Sequence, residues 1–393
     1  MKRIFFMNDF ITEGEIVNIM QALIRCPSIN PPAETAECAR VVSDILIKDN
    51  IKAKIVEVQQ GVANVVARLE GTKSGKRLLL NGHLDVVAPG EGWTVDPFGG
   101  VVRNDLIYGR GACDMKSGIA AIMAAIIAFK RSQQPFNGEI IFTAVGDEET
   151  GSRFGTKYLL ENGIANQVDL AIVTEPTDLA IELGNRGLRW FDISVNGLAC
   201  HAGRPHLGIN AIQHASKIVD AIHGMKFTRK DARFEIPQPS ISVTMINGGT
   251  QVNVIPNRCR IAVDRRMIPG ETTDSVLHEL NEIVSSATAG QPDIDIEIHM
   301  RPESWDPYLI SEDEPIVVSL KKGHFEVTGE RPIVRTKLAC TDASHIFHLA
   351  GIPVALYGPG MAGKSHRVDE CVPVSNLMVA TEVLQSVFRD ILV

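Results

Sequence analysis

The chain lacks the features that would tie it to a membrane, to nucleic acid or to an oxidising compartment. Its longest apolar run, residues 119–129, is well below membrane-spanning length and is typical of a buried core helix. The formal charge of -8 leaves no basic footprint for nucleic acid. The seven cysteines are odd in number, scattered and without a CxxC pair, so they fit reduced thiols best. Neither a membrane nor a nucleic acid is therefore expected as a partner.

The N-terminal residues 1–10 are not expected to form a secretory signal. Their apolar stretch is only four residues long, which is too short for the apolar part of an export sequence. With reduced cysteines, this predicts a cytoplasmic protein. At 393 residues the chain is long for one core, so a division into two domains is the first expectation.

Two kinds of pattern follow each other along the chain. Strand and helix patterns alternate to about residue 183 and resume after 300, which predicts a mostly parallel sheet with helices on both faces. The intervening stretch has the order βαββαβ of a ferredoxin-like unit. Its first helix carries an apolar stripe at spacings of three and four, formed by Ile212, Ala215, Val219 and Ile222. The predicted fold class is an α/β catalytic domain, residues 1–183 and 300–393, with an inserted α+β lid, residues 184–299.

In a set of histidines and carboxylates, almost every member follows a predicted buried strand. They are His83 and Asp85 in GHLDVV, Asp114 in GRGACDMKSG, Glu148 and Glu149 in GDEETG, Glu175 in VTEPTD, and His366 in GKSHRVDE. Because open α/β sheets bind ligands beyond the carboxyl ends of their strands, we expect these side chains to converge. Two imidazoles with several carboxylates suit divalent metals, zinc above all.

Each motif taken alone has a simpler explanation. A His-x-Asp at a strand end is often a polar loop contact, and GDEETG suits a helix start. The glycines of GRGAC would fit a phosphate loop, but no Lys-Ser or Lys-Thr pair follows at the required spacing and no GxGxxG opens a helix. Cys113 beside Asp114 is better explained as a small buried filler than as a ligand. The joint occurrence of the motifs favours a metal site.

In this order and spacing, GHLDVV, GRGACDMKSG, GDEETG, TEP and the late SHxxDE resemble the M20 metallopeptidase and deacylase family. That family includes acetylornithine deacetylases, succinyl-diaminopimelate desuccinylases, aminoacylases and glutamate-releasing carboxypeptidases. The resemblance runs from about residue 81 to 370. It implies a two-zinc catalytic domain and a lid that usually forms a homodimer interface.

Carried onto this sequence, the family pattern assigns the metal ligands. Asp114 bridges both ions, His83 and Glu175 complete one, and Glu149 and His366 complete the other. Two metals about 3.5 to 4 Å apart need a shared anionic bridge, so the chemistry asks for the same division.

The family pattern also implies roles for two further carboxylates. Glu148 would be the general base that takes a proton from water and passes it to the leaving amine. Asp85 lies two residues beyond His83, on the same side of an extended chain, where it would orient the imidazole.

The lid and the region after it supply the expected substrate contacts. His201 resembles a histidine that relatives deliver to the neighbouring subunit, where it donates to the developing oxyanion. Asn253 and Arg266 match positions that hold the substrate and its carboxylate, a task that suits an arginine fork. Arg265 competes with Arg266, since strand alternation turns only one of them toward the cleft. Thr341 and Gly360 are expected near the scissile group.

The sequence thus predicts a two-metal amidohydrolase that cleaves a small-molecule N-acyl amino acid, or a related small amide such as N-acetylornithine or N-succinyl-diaminopimelate. Zinc is the expected ion, with cobalt or manganese as alternatives, and the lid is expected to make a homodimer. Glu175, where the family's aminopeptidases and dipeptidases usually carry Asp, favours deacylase or carboxypeptidase chemistry. Ser344 stands where many relatives carry Arg, which leaves the substrate open. The alternatives are a carboxypeptidase or dipeptidase and a non-catalytic metal-binding protein, against which an intact Glu148 argues.

Overall fold

The computed structural model of the protein describes residues 10–290 and 294–393. Residues 1–9 of the N-terminal segment in which no export signal is expected thus lie outside the described residues. The chain forms two compact units: one contains residues up to 185, 309–337 and 341–393, and the other contains residues 186–308 and 338–340. None of the described helices combines the length and the apolarity that a membrane span requires.

The helices of the described residues are α1 Glu13–Ile24, α2 Ala36–Lys48, α3 Lys116–Arg131, α4 Thr156–Glu161, α5 Ala211–His223, α6 Thr273–Ala287, α7 Pro315–Thr328, α8 Asp342–Ala350 and α9 Val374–Leu392. Two short 3-10 turns cover Glu148–Thr150 and Pro205–Leu207.

The strands of the described residues are β1 Lys52–Gln59, β2 Val62–Glu70, β3 Lys73–His83, β4 Val101–Arg103, β5 Leu106–Tyr108, β6 Asn137–Val145, β7 Leu170–Val173, β8 Ile181–Asn185, β9 Gly187–Asn196, β10 Cys200–His201, β11 Ser240–Gly248, β12 Val254–Ile255, β13 Arg258–Met267, β14 Asp295–Trp305, β15 Tyr308–Leu309, β16 Val334–Lys337, β17 Val354–Leu356 and β18 Cys371–Pro373.

The larger unit is built on one mixed sheet with the order β1-β2-β6-β3-β7-β17-β8-β15, and β16 pairs with β8. Its centre, β6-β3-β7-β17, is parallel throughout. These four strands are almost wholly buried along their apolar runs, as expected for parallel strands covered on both faces. The parallel centre places four carboxyl ends at one edge.

Helix α3 forms the middle of this unit's core. Residues 119–129 are at most 2% exposed, and the helix packs against α1, α9 and β3. The apolar run that is too short for a membrane span is therefore a core helix, as the sequence predicts.

The smaller unit is a four-stranded antiparallel sheet with the order β11-β13-β9-β14, covered on one face by α5 and α6. With the chain order β9-α5-β11-β13-α6-β14, this is the ferredoxin-like arrangement. The unit extends to residue 308, where the sequence predicts its end at 299. The difference arises because β14 continues to Trp305, which pairs with Leu188 at the start of β9.

The buried face of α5 differs from the stripe read from the sequence. Ala215 and Ile222 are buried as predicted, but Ile212 is 39% exposed. Ile218, absent from the predicted stripe, is fully buried in the core that α5, α6 and the sheet share. The spacing of three and four fits two overlapping faces of this helix, so the pattern alone could not choose between them.

Ile212 and Ile218 of α5 provide a test of this packing. Ile218→Ala should lower the free energy of unfolding of the smaller unit by about 2 to 5 kcal/mol, because it leaves a cavity in the core. Ile212→Ala should cost less than about 1 kcal/mol, as expected away from a packed core. Urea denaturation of both variants checks this, and equal losses would contradict the assigned face.

Candidate active site

Three neighbouring parallel strands carry predicted site residues to the same edge of the sheet. His83 is the last residue of β3, and Glu175 lies two residues beyond the end of β7. Glu148 and Glu149 open the 3-10 turn that follows β6. Because β6, β3 and β7 run parallel, their carboxyl ends meet, and the side chains that follow them gather there.

The carboxylate of Asp114 lies between two histidines. Its Oδ1 is 3.1 Å from His83 Nε2, and its Oδ2 is 3.5 Å from His366 Nε2. Glu175 Oε1 lies 4.0 Å from the same His83 nitrogen, and Glu149 Oε1 lies 3.0 Å from the same His366 nitrogen. Each oxygen of Asp114 therefore faces one histidine that has its own glutamate, which is the pairing expected of a carboxylate shared by two ions.

The donor atoms of this group suit a divalent metal. Three ligand atoms lie within 4.8 Å of one another, one each from His83, Asp114 and Glu149. The His83 Nδ1 is 2.8 Å from the backbone carbonyl of Asp85, to which it donates a hydrogen bond. That bond directs the lone pair of a neutral imidazole to Nε2, the nitrogen that faces Asp114. Nitrogen and carboxylate donors in this number match the usual ligands of zinc in catalytic sites.

Burial of several carboxylates at one place shifts their proton affinities. Burial raises the pKa of Glu148 well above its ordinary value, raises that of Glu149, and raises that of Glu175 to about 8. Burial also opposes ionisation of Asp114, but its hydrogen bond with His83 lowers the pKa of Asp114 to about 2. Crowded carboxylates of this kind need positive charge beside them, and a divalent ion supplies it.

The histidines respond to the same carboxylates. The hydrogen bond with Glu149 raises the pKa of His366 to about 9. Burial lowers the pKa of His83, but Asp114 and the neighbouring carboxylates outweigh burial and raise it well above its ordinary value. Both imidazoles therefore lie in a strongly negative environment, which favours a bound cation.

Asp85 contacts this group in a way that the sequence did not predict. Its carboxylate is 3.6 Å from His83 Nδ1, which bonds instead to the Asp85 backbone. The two carboxylate oxygens accept the backbone N–H groups of Glu148 and Glu149, at 3.1 and 3.0 Å. Asn30 donates to the same carboxylate at 2.8 Å. Asp85 therefore fixes the turn that carries the two glutamates and orients the imidazole through its main chain.

Three further charged residues lie around the group, and the sequence predicts a role for none of them. Glu370 is fully buried and accepts the backbone N–H groups of Cys113 and Asp114 at 2.8 and 3.0 Å. Asp342 accepts the hydroxyl of Thr156 at 2.7 Å and that of Ser152. Burial raises the pKa of Asp342 to about 6.

The third residue is Lys337, whose ammonium group lies 3.9 Å from Glu175 Oε2. Burial lowers its pKa, but Glu182, Glu175 and Asp114 outweigh burial and raise it. Only SHxxDE, which contains Glu370, gave a sequence signal for any of the three. Asp342 and Lys337 follow the smaller unit in the sequence, and their partners Ser152, Thr156 and Glu175 precede it, so only the folded structure shows these contacts.

Thr341 and Gly360 also belong to the larger unit. Thr341 is fully buried and caps α8, and its hydroxyl donates to Asn185 Oδ1 at 3.2 Å. A side chain at Gly360 would approach the backbone oxygen of Cys113 to 2.3 Å, so only glycine fits beside the segment that carries Asp114.

The predicted lid residues His201 and Asn253 lie together in the smaller unit. His201 pairs with Val254 in the short ladder of β10 and β12, and the Asn253 carbonyl accepts the N–H of Ala202 at 2.9 Å. Both side chains are exposed. His201 Nδ1 accepts the N–H of Gly203 at 2.9 Å, which leaves the proton of the neutral ring on Nε2.

The structure distinguishes the two neighbouring arginines of β13. Arg265 is fully buried, forms ion pairs with Glu271 and Glu279, and lies over the ring of Phe227. Arg266 points to the opposite face of the sheet, as strand alternation requires.

Arg266 is 32% exposed at its side chain, and two of its nitrogens donate to the Asp264 carboxylate at 2.8 and 3.1 Å. Arg265 is therefore a structural cation, and Arg266 is the candidate for substrate contact.

The fold and the motifs together define a hydrolase. The chain belongs to peptidase family M20/M25/M40, whose sequence profile matches residues 79–390. This confirms the family resemblance and the predicted fold class.

The chain is similar to known proteins over nearly its whole length. Succinyl-diaminopimelate desuccinylase 2 from Ruegeria sp. strain TM1040 is 32% identical over 392 residues, which cover 95% of this chain and 94% of the relative. N-formyl-4-amino-5-aminomethyl-2-methylpyrimidine deformylase from Halalkalibacterium halodurans is 28% identical, with 94% and 92% covered. The crystal structure of Bacillus subtilis YxeP, described as a dinuclear metal binding peptidase from the M20 family, superimposes with a TM-score of 0.73 at 17% identity, with 95% and 96% covered.

The geometry around Asp114 predicts the metal content. The purified protein should bind two divalent ions per chain, and His83→Ala and His366→Ala should each weaken one of them, because the two histidines face different oxygens of Asp114. Elemental analysis and titration under metal-replete conditions measure both effects. Binding of at most one ion by the unaltered protein would contradict the assignment. Removal of metal should abolish turnover while the smaller unit stays folded.

Proposed function

We propose that the protein is a two-metal amidohydrolase that removes the acyl group from an N-acyl amino acid or a related small amide. The observation that carries this proposal is the Asp114 carboxylate, whose two oxygens face His83 and His366 at 3.1 and 3.5 Å. Zinc is the proposed ion, and cobalt or manganese would be held by the same donors. The family is metal-dependent, which supports a metal at this group.

In this proposal the ligands divide into two sets. Asp114 is shared, His83 and Glu175 hold one ion, and Glu149 and His366 hold the other. When bound, the ions polarise the amide carbonyl and lower the pKa of water.

The protein's own acid–base group is Glu148. Its side chain is buried, and its backbone N–H is fixed by Asp85. A carboxylate oxygen of Glu148 accepts a proton from the attacking water. The protonated carboxyl of Glu148 then donates that proton to the leaving amine nitrogen.

The acyl amide is the substrate class that the relatives favour. One relative is named a desuccinylase and another a deformylase, and both names describe removal of an acyl group from nitrogen. Hydrolysis of short peptides as a carboxypeptidase or dipeptidase is the second candidate, because a similar solved structure is described as a peptidase. The same residues would serve either reaction, since both break an amide bond.

Residues of the smaller unit are proposed to complete the substrate site. Arg266 would bind the substrate carboxylate through Nη1, which makes no bond to Asp264 and lies 3.7 Å from Cys340 Sγ. Asn253 would contact the substrate beside it. His201 would donate Nε2–H to the developing oxyanion, a role that its exposed ring and the Gly203 hydrogen bond both permit.

We further propose that His201 acts in the neighbouring subunit of a homodimer. Strand β11 is at the edge of the smaller unit's sheet and exposes Met245 and Ile246 at 56% and 50%. An exposed apolar edge strand is a surface that a second copy would cover.

Replacement of the proposed base tests the mechanism. Glu148→Gln keeps the size of the side chain but removes the proton acceptor, so turnover should fall by roughly two to four orders of magnitude. Metal content should stay nearly unchanged. Activity near the wild-type level would remove Glu148 from this role.

The substrate class is tested with the metal-loaded protein. N-acetyl, N-formyl and N-succinyl amino acids and a set of dipeptides are compared by the release of free amine. Glu148→Gln serves as the background control in each assay. Turnover confined to dipeptides would favour the second candidate over the deacylase.

Subunit mixing tests whether the site is completed across a dimer. His201→Ala and Glu148→Gln subunits should each be inactive alone. After exchange, one site of each mixed dimer combines an intact base with an intact histidine, so roughly a quarter of wild-type activity should return at equal mixing. Verified exchange without recovery would place His201 in its own subunit's site or outside catalysis.

A further inference from the structure

Two cationic side chains of β16 bind backbone carbonyls of the loop that carries Glu175. Lys337 Nζ donates to the backbone oxygen of Pro176 at 2.9 Å, and an Arg335 Nη donates to the backbone oxygen of Thr177 at 3.1 Å. Arg335 and Lys337 are two residues apart on one strand, so their side chains leave the same face. Together they bind two successive carbonyls directly after Glu175.

Glu182 of β8 holds both cations in place. It lies opposite Arg335 in the parallel pairing of β16 with β8. One carboxylate oxygen accepts from Arg335 Nε at 2.9 Å, and the other lies 3.5 Å from Lys337 Nζ. Glu182 is 2% exposed, so water does not compete for it. We call the two cations Arg335 and Lys337, together with the Glu182 carboxylate that contacts both, the cationic clamp.

Within the clamp, Lys337 is the residue that also faces Glu175. Its Nζ is 3.9 Å from Glu175 Oε2, and its side chain is 11% exposed. A buried ammonium stays where carbonyl and carboxylate oxygens surround it, because it has no water to replace them. Its place is fixed by Pro176, Glu182 and Glu175 together.

We propose that Lys337 is a positioning residue: through the cationic clamp it holds the Glu175 loop and sets the direction in which the Glu175 carboxylate faces His83 and Asp114. This inference rests on the proposed function for the part that concerns a bound ion. Lys337 follows the smaller unit in the sequence, and Glu175, the side chain that it positions, precedes that unit.

The sign of the effect on metal binding separates positioning from simple electrostatics. Removal of a cation from the neighbourhood of a divalent ion would by itself tighten binding, because like charges repel. Loss of the group that orients a ligand weakens binding, by about 10- to 100-fold in metal sites of this kind. The proposal requires weaker binding when Lys337 is removed.

The first experiment measures how easily the Glu175 loop opens in the metal-free protein. Lys337→Met keeps the length of the side chain and loses its charge and donor. Hydrogen–deuterium exchange of residues 174–180 in the metal-free protein should become about tenfold faster, because opening of the loop costs less. The amides of Asp178 and Leu179, which donate to Gly360 and Gly358 at 2.9 and 3.1 Å, report on it.

Lys76→Met is the matched control for this experiment. Lys76 also pairs with a carboxylate of the larger unit, Asp169 at 3.4 Å, but it is 60% exposed and distant in sequence from the clamp. It should leave the exchange of residues 174–180 unchanged. If Lys337→Met does not fold, Arg335→Met removes the bond to Thr177 at a 39% exposed side chain and is tested in the same way.

The second experiment measures the affinity for zinc by competition with a chelator. Lys337→Met should weaken one of the two ions about 10- to 100-fold, while Lys337→Arg should restore most of that affinity. In a Glu175→Gln background, the same Lys337→Met change should have no further effect, because residues that act through one another are not additive.

The outcomes separate this inference from the proposed function. Unchanged exchange of residues 174–180 in Lys337→Met, or unchanged or tighter zinc binding, overturns the positioning role while the proposed function stands. If the unaltered protein binds neither zinc nor cobalt nor manganese, the proposed function fails, and exchange in the metal-free protein alone decides whether the clamp holds the loop. Full additivity with Glu175→Gln would also overturn the inference, because Lys337 would then act independently of Glu175.

Discussion

The active-site region of this protein depends on the repulsion among carboxylates that the sheet forces together. Parallel strands end at one edge, so Glu148, Glu149 and Glu175 arrive there along with Asp114. Burial makes their ionised forms costly, and the raised pKa values of the three glutamates express that cost. A fold that accepts such crowding needs positive charge inside the group, which is the physical argument for metal at this place.

Two outer carboxylates, those of Asp85 and Glu370, accept hydrogen bonds from backbone N–H groups of the segments whose side chains form the inner acidic group. Asp85 accepts the amides of Glu148 and Glu149, and Glu370 accepts those of Cys113 and Asp114. Each outer carboxylate therefore fixes the main chain of the residues whose side chains face inward, and an inner side chain is left free to bind something else. The inner and outer acidic residues have different tasks although the sequence shows them only as Asp and Glu.

The sequence was sufficient wherever the signal is local. A histidine or glutamate directly after an apolar strand is visible in a single motif, and the parallel order of strands predicts that such residues converge. Partners that join distant segments, such as Lys337 with Glu175 or Asp342 with Ser152, carry no motif, because the contact depends on topology. The exposed Ile212 shows the same limit within one helix, where spacing allows two overlapping faces and packing chooses one.

The insertion of the smaller unit makes this dependence on topology stronger. The carboxylates that precede it, Asp114, Glu149 and Glu175, lie close to His366 and Lys337, which come from the chain that follows it. The buried pair of Arg110 with Glu370 crosses the same break in the sequence. Because an unpaired buried charge is far more costly than a paired one, Arg110 and Glu370 need both segments of the larger unit. The group around Asp114 draws on both segments, so it is complete only when both are folded together.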